Sequence, residues 1–205
     1  MASASVHTAE IFTTVVSGLS HLSFGNVDKN LFKRLLIPGV VGGALGAYML
    51  TAISGNLVKP FVSLYLLVMG STIICKAFKK SQERKDQVHV VPLAAAGGFF
   101  DAVGGGGWGP IVTSTLIAEG NNPRFTIGSV NLAEFFVTLT ETAIFYTIIG
   151  LAYWQVITGL ILGGVLAAPL AAYTCKKLPQ KALMIMVGAL ITALSIRTIL
   201  QSLSL

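Results

Sequence analysis

The chain has 205 residues, 54% of them hydrophobic and 11% charged, with a mean hydropathy of +0.78 and a formal net charge of +6. Soluble domains carry about 25% charged residues, so this composition excludes a soluble globular protein and predicts an all-α, multispanning integral membrane protein. The basic residues lie in short gaps between apolar runs, a placement that excludes a nucleic-acid-binding surface, suits the cation excess of cytoplasmic loops and leaves the lipid bilayer as the expected partner.

Apolar runs of spanning length occur at about 6–24, 33–53, 57–77, 126–149, 153–173 and 182–203, since roughly 20 helical residues cross the hydrocarbon core. No Lys or Arg precedes Lys29, so the first run lacks the basic start of a signal peptide. The segment 88–119 differs from the rest. It divides into two shorter pieces, 88–103 and 110–119, around Asp101-Ala-Val-Gly-Gly-Gly-Gly-Trp-Gly-Pro110. Gly costs about 1 kcal/mol and Pro about 3 kcal/mol in a helix interior, so the helix must break here. Pro110 is suited to opening the second piece. Broken backbone at membrane depth is tolerated only where protein buries it or it lines a cavity. In transporters such breaks bind substrates and ions.

The linker Lys79-Lys-Ser-Gln-Glu-Arg-Lys-Asp86, with Lys76, carries five bases against two acids and is expected in the cytoplasm. It separates two copies of one three-helix unit. With a shift of 124 residues, Ser5-Val6 falls on Ser129-Val130, Ala9-Glu10 on Ala133-Glu134, Phe12 on Phe136 and Thr14 on Thr138. With a shift of 121, Gly42-Gly43-Ala44-Leu45 meets Gly163-Gly164-Val165-Leu166. The base-rich loop lies after the first helix in one copy (Lys29, Lys33, Arg34) and after the second helix in the other (Lys176, Lys177, Lys181). By the positive-inside rule the copies then face opposite ways, as inverted repeats do. The expected organisation is a first repeat over 1–78, a cytoplasmic linker over 79–87 and a second repeat over 88–205 that begins with the broken hairpin 88–119. That hairpin is expected to enter and leave on the cytoplasmic side; a single crossing is the alternative. No counterpart of it precedes the first copy, so the chain is expected to lack a first hairpin.

Acids inside a membrane cost about 2.5–3.5 kcal/mol each at mid-helix, which directs attention to Glu10, Asp101, Glu134 and Glu141. Asn131, Glu134, Thr138 and Glu141 recur at three- and four-residue steps and share one helix face. Their repeat partners are His7, Glu10, Thr14 and Ser17. Two such stripes can line a central cavity or satisfy one another between helices. Glu10, Glu134 and Glu141 are the candidates for proton coupling. The broken segment can bind an anion, because a half-helix starting near Trp108–Ile111 presents unpaired N–H groups, with Thr113, Ser114 and Thr115 close by. A tight hairpin without ligand is the other reading. No Gly-Lys-Ser/Thr follows, so a phosphate-binding loop is not expected. Asp101 either caps backbone donors or takes a proton. The substrate-binding set is therefore Asp101, Gly104, Gly105, Gly106, Gly107, Trp108, Thr113, Asn131 and Glu134.

Gly39, Gly42, Gly43 and Gly46, with Gly163, Gly164, Ala167 and Ala168, suit close helix packing. Arg124 is an interfacial anchor that could also attract an anion. Cys75 and Cys175 read as ordinary membrane cysteines. His7, His21 and His89 make no metal-ligand spacing with Cys or acids, and no nucleophile–base pair appears. No enzyme activity, metal or cofactor is expected.

Gly97-Gly98-Phe99-Phe100-Asp101 leading into Gly104-Gly-Gly-Gly-Trp-Gly-Pro110, then Pro123-Arg124, Ile127-Gly128-Ser129 and Gly25-Asn26-Val27-Asp28, resemble the sulfite exporter TauE/SafE family over nearly the whole chain. The resemblance implies a multispanning permease of a prokaryotic cytoplasmic membrane that moves sulfite, sulfonates or organosulfur compounds, coupled to protons or membrane potential. The family pattern has a glycine-rich segment in each half, and here only the second is present. The expected function is thus a secondary transporter of a small anion, with homo-oligomerisation left open. The rival is a non-transporting assembly subunit or an incomplete piece of a transporter.

Overall fold

The computed structural model describes residues 2–49, 55–79, 89–104, 106–148 and 154–203. Among these residues there are eight α-helices and no strand: α1 (Ala2–Ser23), α2 (Lys29–Met49), α3 (Gly55–Ala77), α4 (Val90–Gly104), α5 (Ser114–Ala118), α6 (Pro123–Ile148), α7 (Trp154–Lys177) and α8 (Gln180–Leu203). A π-helical turn, Gly109–Thr113, leads into α5. The linker 80–88, Gly105 and the uncharged loop 150–153 lie outside the described residues.

Lys29–Met49, Pro60–Ala77, Trp154–Lys177 and Gln180–Ser202 are long and apolar enough to cross a membrane. α1 and α6 have 22 and 26 residues, long enough to span at 1.5 Å per residue. Their polar stripes keep them below the apolarity of the other four. The packing accounts for this difference. α1 and α6 sit centrally, with α1 against α6 and α7, and α6 against α1 and α2. The apolar helices turn large side chains outward, such as Ile37, Val41 and Leu45 of α2 and Leu162, Leu166 and Leu170 of α7. Polar residues inside and apolar residues outside are what a bilayer demands of a helical protein. The chain is a multispanning all-α membrane protein.

Contacts fix the helix directions. His7 of α1 meets Glu141 of α6, and Ser17 meets Asn131, so these two helices run antiparallel. α3 and α8 pack through Gly70 and Gly188, where a Cβ at either glycine would stand 3.0 Å from the other's carbonyl oxygen. α2 and α4 make the most extensive contact of all, and glycine is the reason. A Cβ on Gly42 would strike the Ala95 carbonyl, one on Gly46 the Phe99 carbonyl, and one on Gly98 the Gly39 carbonyl and the Gly43 amide. Small residues let backbones come this close.

Segment 89–118 folds back on itself. Trp108 and Val112 return against Gly97 of α4, and Val90, Ala94, Val112 and Leu116 share one apolar cluster with Leu31 and Leu35. Lys76, near the end of α3, donates to the Ala118 carbonyl at 2.5 Å. The hairpin therefore leaves at the end of the bundle where α3 finishes.

The motif pieces at 25–28 and 123–129 assemble into one joint. α1 ends on Gly25 at φ +68°, with Gly25 N–H donating to Leu22 O and Asn26 N–H to His21 O, the Schellman closure that glycine permits. Asp28 Oδ1 accepts from the Asn30 and Leu31 amides and caps α2. Arg124 Nε donates to Asn26 Oδ1 at 2.7 Å, and its Nη2 to the Phe24 and Gly25 carbonyls at 3.2 Å. Arg124 is thus committed to this turn, which accounts for its place beside Pro123 without any anion. Arg124→Ala should lower stability by about 2 kcal/mol, since charged hydrogen bonds contribute about 1.5–3 kcal/mol. Thermal unfolding in detergent checks this, and an unchanged midpoint would show that the joint does not hold α6.

Candidate functional site

Five ionisable residues from three helices converge where α4 breaks: His7 and Glu10 of α1, Asp101 of α4, and Glu134 and Glu141 of α6. The face spacing on α1 and α6 brings them together, and the antiparallel crossing sets the register. His7 Nδ1 stands 2.8 Å from Glu10 Oε2 and 3.3 Å from Glu141 Oε2. His7, Asp101 and Glu141 are each at most 1% exposed, and ligand-type atoms of all three lie within 4.8 Å of one another. Glu10 retains 25% side-chain exposure. It lines a groove with Gly159, Gly163 and Gly164 of α7. Glu134 is half-buried. Its Oε1 would lie 3.5 Å from a Cβ on Gly109, which places it against the π turn. Gly43 makes the room that Glu141 occupies, because a Cβ there would stand 2.6 Å from Glu141 Oε1.

Asp101 shows how the break is held. Its Oδ1 accepts from the Gly107 amide at 2.5 Å and the Trp108 amide at 2.8 Å. The Gly106 amide donates to the Asp101 carbonyl at 3.3 Å. Gly106 has φ +123°, a conformation that favours glycine. These amides were expected to face a substrate anion. The chain's own carboxylate takes them instead, so of the two roles open to Asp101 the capping one is observed.

The other expected site residues divide into three groups. Gly104, Gly106 and Gly107 line a cavity of about 300 Å³ between the break and helices α3 and α8, together with Ser63, Ser195 and Thr198. Trp108 is not among the residues that line this cavity. It is fully buried, its ring fills the space above Gly39 and Gly97, and its Nε1 donates to the Val130 carbonyl at 3.1 Å. That is the work of an anchor for the returning helical segment. Thr113 is buried in the π turn, away from the cavity lining. Asn131 is engaged with Ser17 Oγ at 2.7 Å and the Ile127 carbonyl, and stands apart from the acidic group. Gly105 lies outside the described residues.

Two features escaped the sequence. His7 shows no ligand spacing along the chain, yet the fold brings it against two acids; its i, i+3 relation to Glu10 on a polar stripe is the signal that was available. Ser63, Ser195 and Thr198 sit on helices that otherwise read as plain lipid-facing spans, and no local pattern marks them. Ser195 is 3% exposed, and among the described residues its Oγ has no hydrogen-bond partner.

Residues 1–198 match the profile of the family described as Sulfite exporter TauE/SafE. The chain is 38% identical over 211 residues to the "Probable membrane transporter protein YtnM" of Bacillus subtilis (strain 168), a match that covers 98% of this chain and 70% of that protein. No solved structure matches.

Proposed function

Given that the chain belongs to the sulfite exporter TauE/SafE family and is a multi-pass membrane transporter, we propose that it exports a small sulfur-containing anion, sulfite or a sulfonate, across a prokaryotic cytoplasmic membrane in exchange for, or together with, protons. The observation that carries this reading is the two-sided glycine break. On one side, Gly104, Gly106 and Gly107 line the cavity with the hydroxyls of Ser63, Ser195 and Thr198, and no carboxylate is among the described lining residues. Thr198 Oγ1 donates to the Leu194 carbonyl at 2.9 Å, and Ser195 Oγ, without a partner among the described residues, is the hydroxyl open to an oxyanion. On the other side stand His7, Glu10, Asp101, Glu134 and Glu141. The Asp101–Gly107 hydrogen bond joins the two sides through one residue. A change of charge or position in the acidic group is thereby transmitted to the cavity wall.

Two inverted copies rocking against one another would open the cavity to each face in turn. The reading is supported by the exchange of partners between copies. Under the 124-residue shift His7 corresponds to Asn131 and Ser17 to Glu141, so the contacts His7–Glu141 and Ser17–Asn131 are images of each other. The α1–α7 and α6–α2 contacts are likewise exchanged, and α3–α8 maps onto itself.

The test is flux in proteoliposomes carrying a pH dye and labelled sulfite or a sulfonate. Sulfite or sulfonate movement should be accompanied by a lumenal pH change. Glu134→Gln should cut the proton-linked component about a hundredfold, the lower end of the range for losing a positioned acid–base group, while membrane insertion is unchanged. If no anion of a broad panel moves or binds, the substrate assignment is wrong. Unaltered pH-linked flux in Glu134→Gln removes that residue from coupling.

A further inference from the structure

We propose that His7, Asp101 and Glu141 bind a divalent first-row transition-metal ion. His7 Nδ1, Glu10 Oε2 and Glu141 Oε2 point at one another across 2.8 and 3.3 Å, and a proton on Nδ1 serves one of the two carboxylates and leaves the other without a partner. Among the described residues no Lys or Arg forms a salt bridge with any of these carboxylates. Asp101 is already oriented for a second ligand. Its Oδ1 is held by two amides, which leaves Oδ2 buried and without a hydrogen bond. Both oxygens of Glu141, at 0% exposure, are in the same condition, as is the hydroxyl of Thr138 one turn away. Buried polar atoms nearly always have a partner, so this number of unmatched acceptors at one point requires one.

Geometry and donor type narrow the choice. A first-row ion bonds His nitrogen and carboxylate oxygen at about 2.0–2.2 Å, which places donors of a tetrahedral site about 3.3–3.6 Å apart. The three residues present atoms within 4.8 Å already, so a contraction of at most about 1.5 Å closes the site. A lone buried carboxylate pair would suit Mg²⁺ or Ca²⁺, whereas imidazole favours Zn²⁺, Fe²⁺, Co²⁺ or Ni²⁺. With His7 neutral, two carboxylates balance a dication. The amide clamp on Asp101 is the kind of outer partner that orients a ligand, and Nδ1–H given to Glu10 would be another, leaving His7 Nε2, also buried without a hydrogen bond, for the ion. Gly43, which leaves space for Glu141, is part of the same arrangement.

One consequence rests on the transport reading above: a dication here would remove the negative field that the acidic group projects through the break onto an anion in the cavity. The binding itself does not depend on that reading, and its test uses no anion.

The purified full-length protein in detergent, stripped with chelator and then dialysed against Zn²⁺, is assayed for bound metal by mass spectrometry. About one ion per chain should remain. Retention should fall at least tenfold in Glu141→Gln and in His7→Gln, and stay at the wild-type level in Ser17→Ala, where the substituted residue belongs to the separate Asn131 contact. Equal retention in all four proteins, or none in the wild type, overturns the proposal and leaves protons as the only cations in the cluster. Retention of Mg²⁺ or Ca²⁺ in preference to Zn²⁺ overturns the role of His7. Should the variants fail to fold, Co²⁺ in the wild-type protein decides: nitrogen hyperfine coupling from one imidazole supports the site, and its absence refutes it. Sulfite flux that fails while Zn²⁺ binds, or the reverse, separates this proposal from the function assigned above.

Discussion

Asp101→Ala should abolish anion flux and lower the stability of the protein by about 3 kcal/mol, because it leaves two buried amides unpaired at about 1–3 kcal/mol each. Those amides belong to Gly107 and Trp108, where the hairpin changes direction. Trp108 fixes the returning helical segment to Val130 and fills the space above Gly39, so a break that loosens there loses its contact with both α2 and α6. Flux assays combined with thermal unfolding in detergent separate two contributions. Asp101→Asn keeps an acceptor for the amides but removes the charge. It should recover most of the stability and little of the flux. If Asp101→Asn transports at the wild-type rate, Asp101 is a cap and nothing more, and the link between the acidic group and the cavity wall would have to run elsewhere.

Gly98→Val should prevent correct assembly. A Cβ at this position meets the Gly39 carbonyl and the Gly43 amide, which are backbone atoms of α2 and cannot swing aside. Overpacking a core costs about 1–3 kcal/mol when side chains can adjust, and here they cannot, so about 3 kcal/mol is a lower bound. The two helices would have to separate, and Gly43, Glu141 and the break move with them. Size-exclusion profiles should show aggregate in place of a single species. The contrast lies at the corresponding place on α7. A Cβ on Gly163, the repeat partner of Gly42, meets nothing within 4 Å among the described residues. Gly163→Ala should leave assembly intact and raise stability by up to about 1 kcal/mol, the helix-propensity difference between the two residues. A monodisperse, stable Gly98→Val protein would mean that α2 and α4 are not packed backbone to backbone.

The helices were legible because membrane spans are long and apolar and tertiary context seldom overrides them. The glycine break was legible because neither four glycines nor Trp-Gly-Pro can continue a helix. The segment 89–118 turned back, as the break allows. What the sequence could not supply was depth and azimuth. The stripes placed Glu10 and Glu134 on polar faces, but only the antiparallel crossing of α1 and α6 put His7 opposite Glu141. The amides after Asp101 looked like an anion site because nothing local reveals that Asp101, six residues earlier, reaches them. Trp108 looked like a ligand-facing aromatic, and its partners, Gly39 and Val130, lie far away in the chain. The hydroxyls of Ser63 and Ser195 were hidden in otherwise lipid-like helices, where a lone serine carries no signal.

The exchanged pairs His7–Glu141 and Ser17–Asn131 have an energetic consequence. If the two units rock as proposed above, identical copies would make the outward-open and inward-open forms two-fold images of equal free energy, populated one to one. Here one image of the pair is ionisable and the other neutral. Each form therefore places a different chemistry at a given depth, and the degeneracy is lifted. A cation taken up at His7–Glu141 stabilises whichever form closes around it, and it shifts the population by its difference in affinity for the two forms, tenfold for every 1.4 kcal/mol. Divergence at four positions would thus be sufficient to give a symmetric rocker unequal populations of its two forms.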